Sequence, residues 1–255
     1  MPNIRLGMLT PSSNTVLEPV TMAILAGQPD VSAHFSRFRV TQIGLSEKNL
    51  GQFAQAEMMR AAELLADANV GVIAWNGTSA SWLGFEHDER LCDEIEITTD
   101  IPGCTSVLAF REIFTRTSVR KVGLVTPYVD DVQQRIAKNW GAAGFDCSSE
   151  RHLGLSENFS FAAVEEYTIA RMVRDVADSC DAVAIVCTNL RGARLAADLE
   201  REIGKPVYDS IAVTLWKSLQ LAGFDTGRLS QWGRLFQQPS LNSRPVNVSG
   251  GKRHG

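Results

Sequence analysis

Apolar runs of roughly 5–8 residues alternate along this chain with longer stretches spaced as amphipathic helices. Residues 4–9 predict a first strand, which ends in Thr10-Pro11-Ser12-Ser13-Asn14-Thr15, a cluster of turn and N-cap residues. A helix over 16–26 follows and stops at Gly27. Residues 31–40 predict a second strand, and beyond Gly44-Leu45-Ser46-Glu47 one long helix runs to about residue 68. Residues 70–75 predict a third strand, 77–81 a polar turn and 86–94 a helix. Ile101-Pro102-Gly103 opens a further strand–helix step, with its helix over 107–114.

The same order then returns. Strands are predicted over 121–125, 145–151, 182–186 and 206–208. Between and after them come helices over 132–143, 157–177, 194–203 and 213–222, the first capped by Asp130 and ended by Gly144. The repetition is also literal. Gly-Leu-Ser-Glu occurs at residues 44–47 and again at 154–157, an offset of 110 that also lays Gly77-Thr78 over Cys187-Thr188. Residues 7–11 reappear in similar form as residues 123–127.

Strands alternating with helices at this spacing predict an α/β fold of two pseudo-symmetric, doubly wound halves. Each half is expected to carry a four-stranded parallel sheet, with a site in the cleft between them. The expected division is residues 1–115 and 116–210, with a C-terminal helix over 211–236 joined to the first half and a disordered tail over 238–255 rich in Pro, Ser, Asn and Gly.

Composition narrows the partners. A net charge of −4 supplies no basic field for nucleic acid. No apolar run approaches the roughly 20 residues of a membrane helix, and the start of the chain lacks a signal-peptide pattern. Five scattered cysteines without Cys-x-x-Cys spacing fit reduced thiols in a cytoplasmic protein. The four histidines have no metal spacing, and no Gly-x-Gly-x-x-Gly or Walker pattern is present, so neither a metal nor a nucleotide is expected. The sequence leaves a homo-oligomer open.

In open parallel sheets ligands bind at the carboxyl ends of strands. The residues there are Ser12, Ser13 and Asn14, then Gly77, Thr78 and Ser79, then Tyr128, and finally Cys187 and Thr188. Small hydroxyl residues at a strand-to-helix turn serve as caps or hold a carboxylate, and their convergence favours an anion site. A lone cysteine after a strand is usually a small buried hydrophobe. Cys187, however, stands at a strand end before a predicted helix, which is expected to depress its pKa. Arg191 fits either a carboxylate partner or a surface charge, and Trp75, Trp82 and Phe85 either an aromatic pocket or core.

Together these residues resemble the Asp/Glu racemase superfamily, in the branch of maleate cis–trans isomerase and arylmalonate decarboxylase. Thr10-Pro11-Ser12-Ser13-Asn14-Thr15 is similar to the isomerase's opening loop. Gly77-Thr78-Ser79 resembles the decarboxylase's Gly-Thr-Ser turn, and Cys187 matches its single catalytic cysteine. The resemblance implies a cofactor-free enzyme acting on a small carboxylate. Racemases and the isomerase use two thiols, and this chain has Gly77 where the second would stand. The implied reaction is decarboxylation of a substituted malonate. Thr78, Ser79, Tyr128 and the amides after Cys187 would hold the retained carboxylate, and Cys187 would protonate the carbanion. Against this, the decarboxylase's leaving carboxylate sits in an apolar pocket, where Ser12, Ser13 and Asn14 would place polar donors. An isomerase or racemase activity and a non-catalytic carboxylate-binding protein stay open as alternatives.

Overall fold

Two four-stranded parallel sheets carry the chain, and each repeats the strand order of the other. The computed structural model of the protein describes residues 4–238; the tail expected beyond them lies outside the described residues. In the first sheet the order is β2-β1-β3-β4, from β1 (Ile4–Pro11), β2 (Val31–Phe38), β3 (Val72–Trp75) and β4 (Gly103–Thr105). In the second it is β6-β5-β7-β8, from β5 (Val122–Thr126), β6 (Glu150–His152), β7 (Ala182–Ile185) and β8 (Val207–Asp209). The register is equivalent too. Leu9 pairs with Trp75 in one sheet as Val125 pairs with Ile185 in the other. Two residues past these partners stand Gly77 and Cys187, so the 110-residue offset is a three-dimensional equivalence.

The central strands β3, β5 and β7 are buried along their whole length, as strands covered by helices on both faces must be. The covering helices of the first half are α1 (Leu17–Ile24), α2 (Glu47–Leu50), α3 (Gln55–Ala66), α4 (Ala80–Leu83), α5 (Phe85–Thr99) and α6 (Ser106–Arg116). Those of the second are α7 (Asp130–Ala142), α8 (Asn158–Phe161), α9 (Glu166–Ala177) and α10 (Ala196–Ile203). The closing helix α11 (Ser210–Leu221) follows β8 and packs on α6, β3 and α1 of the first half. Among the described residues no helix is long and apolar enough to cross a membrane.

Two predicted long helices are broken, at equivalent places. Between α2 and α3 lies a 3₁₀ turn over Gly51–Phe53. Gln52 there turns its amide back onto residues 41 and 42, accepting from the Thr41 N–H at 2.8 Å and donating to the Gln42 carbonyl at 2.9 Å. In the second half α8 and α9 are separate helices. The two breaks face one another. Gln42 and Glu157 form an antiparallel bridge, the Ile43 N–H donates to the Ser156 carbonyl at 2.8 Å, and the Asn158 N–H to the Thr41 carbonyl at 3.0 Å. The repeated Gly-Leu-Ser-Glu segments therefore flank the line where the halves meet. Asp130 does not cap its helix. It opens α7 behind Val129, and its carboxylate lies 2.9 Å from His152 Nε2.

Candidate active site

The carboxyl ends of β1, β3, β5 and β7 converge on a small cavity between the two sheets. It is lined by Pro11, Gly77, Thr78, Ser79, Tyr128, Cys187 and Thr188, and walled by Val40, Ile43, Phe53, Trp75, Trp82 and Asn158. Its volume is about 20 Å³. The larger 690 Å³ groove past Cys92, Cys104 and Lys217 shares none of these residues.

Cys187 is 2% exposed. Burial pushes its thiol up to about 12, against the opposing pull of the Asn189 N–H and the Tyr128 hydroxyl. This reverses the depressed pKa expected from the sequence. The helix expected from 194 opens at Ala196, with a turn between it and the cysteine, so its N-terminus does not reach the thiol. The thiol is therefore neutral at physiological pH and a poor nucleophile, with a proton to give. Once it gives up its proton, the thiolate has the Asn189 N–H, 3.4 Å from Sγ, and the Tyr128 hydroxyl to hold it.

Opposite, the Tyr128 hydroxyl lies 2.7 Å from Thr78 Oγ1 and ties the two halves together inside the cavity. Burial, followed by the neighbouring Cys187, raises Tyr128 well above its ordinary value, so it too is a neutral donor. Ser79 is buried, and its Oγ finds no partner among the described residues. The same holds for the indole nitrogens of Trp75 and Trp82. Three residues that line the cavity thus carry a buried donor without a partner among the described residues.

Ser12 and Asn14 stand beside the cavity without lining it. The Ser12 and Ser13 hydroxyls donate to the Val40 carbonyl, at 3.3 and 2.7 Å. Asn14 is consumed in scaffolding: Oδ1 accepts from the Val16 and Leu17 N–H groups at the start of α1, and Nδ2 donates to Thr188 Oγ1 at 3.1 Å. Thr188 in turn donates to the Asn76 carbonyl at 3.0 Å, so its hydroxyl proton is also committed. What the opening loop shows to the cavity is Pro11, and the wall beside it is Val40, Ile43 and Phe53.

Of the other candidates, Phe85 lies under the Arg111 guanidinium, 5.0 Å from its carbon, and Arg191 lines a separate surface hollow with Arg194 and Glu166. Val40, Ile43, Phe53 and Asn158 were not foreseen as lining residues. The one sequence signal for them is the doubled Gly-Leu-Ser-Glu, which they flank on both sides.

The twin positions differ in more than the thiol. Gly77 lies against the Trp75 indole so closely that a Cβ built on it would meet Cζ2 at 2.0 Å. Trp75 is fully buried, with the Phe38 ring 5.0 Å and the Phe53 ring 6.5 Å away between centroids.

A family model described as arylmalonate decarboxylase matches residues 15–236. Among characterised proteins, the chain is 28% identical to an arylmalonate decarboxylase of Bordetella bronchiseptica, over 69% of this chain and 75% of that one. It is 25% identical to a maleate isomerase of Alcaligenes faecalis, over 89% of this chain and 94% of that one. The solved maleate isomerase Iso of Pseudomonas putida S16 superposes with a TM-score of 0.83 at 22% identity, covering 91% of this chain and 98% of its own.

Proposed function

The chain belongs to the arylmalonate decarboxylase family, and within it we propose a cofactor-independent decarboxylase of a substituted malonate with Cys187 as the proton donor. The observation that carries this reading is the cavity's single thiol, neutral and buried, with Gly77 in the twin position. Reactions that need a thiol on each face of the carbon lack their second group here. A decarboxylase needs only one acid.

The retained carboxylate would sit on Ser79 Oγ, Thr78 and Tyr128. The leaving carboxylate would face Pro11, Val40, Ile43 and Phe53. Polar donors from Ser12 and Asn14, which would stabilise that second charge, are turned into the scaffold. As the bond to the leaving carboxylate breaks, its electron pair moves into the retained carboxylate as an enediolate and carbon dioxide departs. Donors preorganised around the retained group stabilise this transition state more than the ground state. The Cys187 S–H then protonates the carbanion on one face, and the thiolate, held by Asn189 N–H and Tyr128, regains its proton from solvent.

Proton NMR of the protein in D2O with malonates, maleate and amino acids tests the reading. Deuterated monoacid from a malonate is the expected result. Fumarate from maleate, or α-deuterium exchange in an amino acid without loss of carbon dioxide, would replace it with an isomerase or racemase.

A further inference from the structure

No carboxylate reaches Cys187 while the wall of the cavity stands as it does. The cavity's volume, about 20 Å³, is little more than the roughly 10–15 Å³ that one water requires. Cys187, Tyr128 and Thr78 are all buried beneath the wall. Binding of any acid therefore requires part of the wall to move.

Most of the wall is fixed. Pro11, Trp75, Gly77 and Cys187 stand in or just after β1, β3 and β7, and each of these strands is hydrogen-bonded on both sides. Ile43, Phe53 and Asn158 come instead from the loops after β2 and β6, the edge strands of the two sheets. The loop after β2 closes on itself. Gln52 accepts from the Thr41 N–H at 2.8 Å and donates to the carbonyls of Gln42 and Asn49 at 2.9 and 3.1 Å. Its helix α2 has no buried residue, and a 540 Å³ hollow past Lys48, Asn49 and Glu57 runs along it.

This flap is fastened across the cavity by the bridge from Gln42 to Glu157. Two backbone bonds hold the bridge, Ile43 N–H to the Ser156 carbonyl and Asn158 N–H to the Thr41 carbonyl. Asn158 is also held by the Ser13 hydroxyl and the Asn189 side chain, at 2.8 and 2.6 Å, so it stays with the body of the protein. Segments with few buried contacts and exposed backbone bonds open at low free energy, without unfolding the rest.

We infer that residues 41–53 are the gate of the site: the Gln42–Glu157 bridge parts, Ile43 and Phe53 withdraw from the cavity, and the flap closes again over the bound acid. That the occupant is a carboxylate rests on the reading above; the gate rests on the closed wall.

A reversible lock tests it. Gln42 and Glu157 are both exposed, and the bonds on either side of them make theirs a bridge whose Cα atoms lie about 4.5 Å apart. A disulfide spans about 4.4–6.8 Å, so Gln42→Cys combined with Glu157→Cys fastens the flap when oxidised with diamide. Iodoacetamide is then added at about pH 9, and mass spectrometry reads the Cys187 peptide. The oxidised form is expected to label Cys187 at least about tenfold more slowly than the same protein after reduction, because local opening is blocked. Equal labelling of the two forms overturns the gate. If the disulfide does not form, Gln52→Ala decides. Freed from its own latch, the flap is expected to raise Cys187 labelling at least about threefold, with Cys104, buried away from the site, labelled as in wild type. An unchanged Cys187, or a parallel rise at Cys104, overturns the gate. Carbon dioxide release from malonates is followed on the same samples. Alkylation needs no turnover, so a gated Cys187 without carbon dioxide release keeps the gate and removes the decarboxylation reading.

Discussion

The Tyr128 hydroxyl and Thr78 Oγ1, 2.7 Å apart, join the two halves of the protein inside the cavity. Each comes from the loop after a central strand, so neither half alone can build this pair. The Tyr128 hydroxyl also faces Cys187. Tyr128→Phe keeps the ring, whose edge-on contacts with Trp82 and Phe161 have centroids 5.3 and 5.7 Å away. It removes only the donor. Loss of one donor at a developing oxyanion lowers kcat by about 10²–10³ in a well-studied protease. A decrease of about 10–100-fold in kcat/KM is expected here, since Ser79 remains. Steady-state kinetics with a thermal melt checks this. A melt unchanged within a few degrees alongside the kinetic loss assigns the hydroxyl to chemistry rather than to holding the halves together.

Cys187 should behave as an acid, not a nucleophile. With its thiol pushed up to about 12 by burial, the thiolate fraction at pH 7 is negligible. Iodoacetamide should label it far more slowly in the folded protein than in urea, with the folded rate still rising above pH 9. Mass spectrometry of the Cys187 peptide distinguishes it from the other four cysteines. Cys187→Ala should lower kcat by about 10²–10⁴-fold, the usual contribution of a positioned general acid. Turnover at the wild-type rate would sink the mechanism.

Gly77 and Trp75 should be energetically coupled. Gly77→Ala places its methyl group inside the indole, and overpacking of this kind costs about 1–3 kcal/mol. Trp75→Leu carries its own cavity cost, but in the double variant the overlap is gone. The double variant should therefore be more stable than the sum of the two single effects by about 0.5–3 kcal/mol, the range of residues in direct contact. Urea unfolding of the four proteins measures it, and strict additivity would show that the indole moves aside at no cost.

How much of this was legible in the sequence depends on which force decided each feature. The central strands were readable because buried parallel strands are short apolar runs with turn residues at their carboxyl ends, and the doubled Gly-Leu-Ser-Glu correctly paired Gly77 with Cys187; the sixth strand, expected over 145–151, stands at Glu150–His152, a charged edge segment with no apolar run to mark it. The helix breaks were not readable. The one at 51–53 accompanies a single side chain, Gln52, bonding back to 41 and 42 across the turn, and periodicity does not register such a contact. The Cys187 pKa was read with the wrong sign because the helix, expected from 194 and found from Ala196, lies too far along the chain to act on the thiol, and burial decides the shift. The chain between them runs through a turn held partly by Asn189, whose side-chain carbonyl accepts from the Thr15 and Val16 N–H groups of the other half. Ser12 and Asn14 were correctly placed at a strand end. Whether a polar side chain there faces ligand or scaffold depends on partners far along the chain, Val40 and Thr188.

Asp209 should make stability fall as pH rises from about 4 to about 7. It is fully buried at the end of β8, where one carboxylate oxygen caps α11 by accepting from the Ile211 N–H at 2.8 Å and the Ala212 N–H at 3.2 Å. Burial pushes its carboxyl up to about 7 despite these bonds. In the unfolded chain an aspartate titrates near 3.9. Between about pH 4 and 7, then, the folded state holds a proton that the unfolded state has released. Where the native state binds more protons, unfolding free energy declines with rising pH. This group costs nothing below pH 4, and its full penalty is present above about 7. Asp209→Asn keeps an oxygen to cap α11 and cannot ionise. Its stability relative to wild type should therefore improve steadily from pH 4 to 8, as read by urea unfolding of both proteins at each pH. The ionised carboxylate also helps to raise the Cys187 thiol. The same substitution should accordingly speed alkylation of Cys187 at pH 8–9 more than at pH 6. A difference in stability that does not vary with pH would mean that Asp209 is ionised throughout and that its cap, not its charge, dominates.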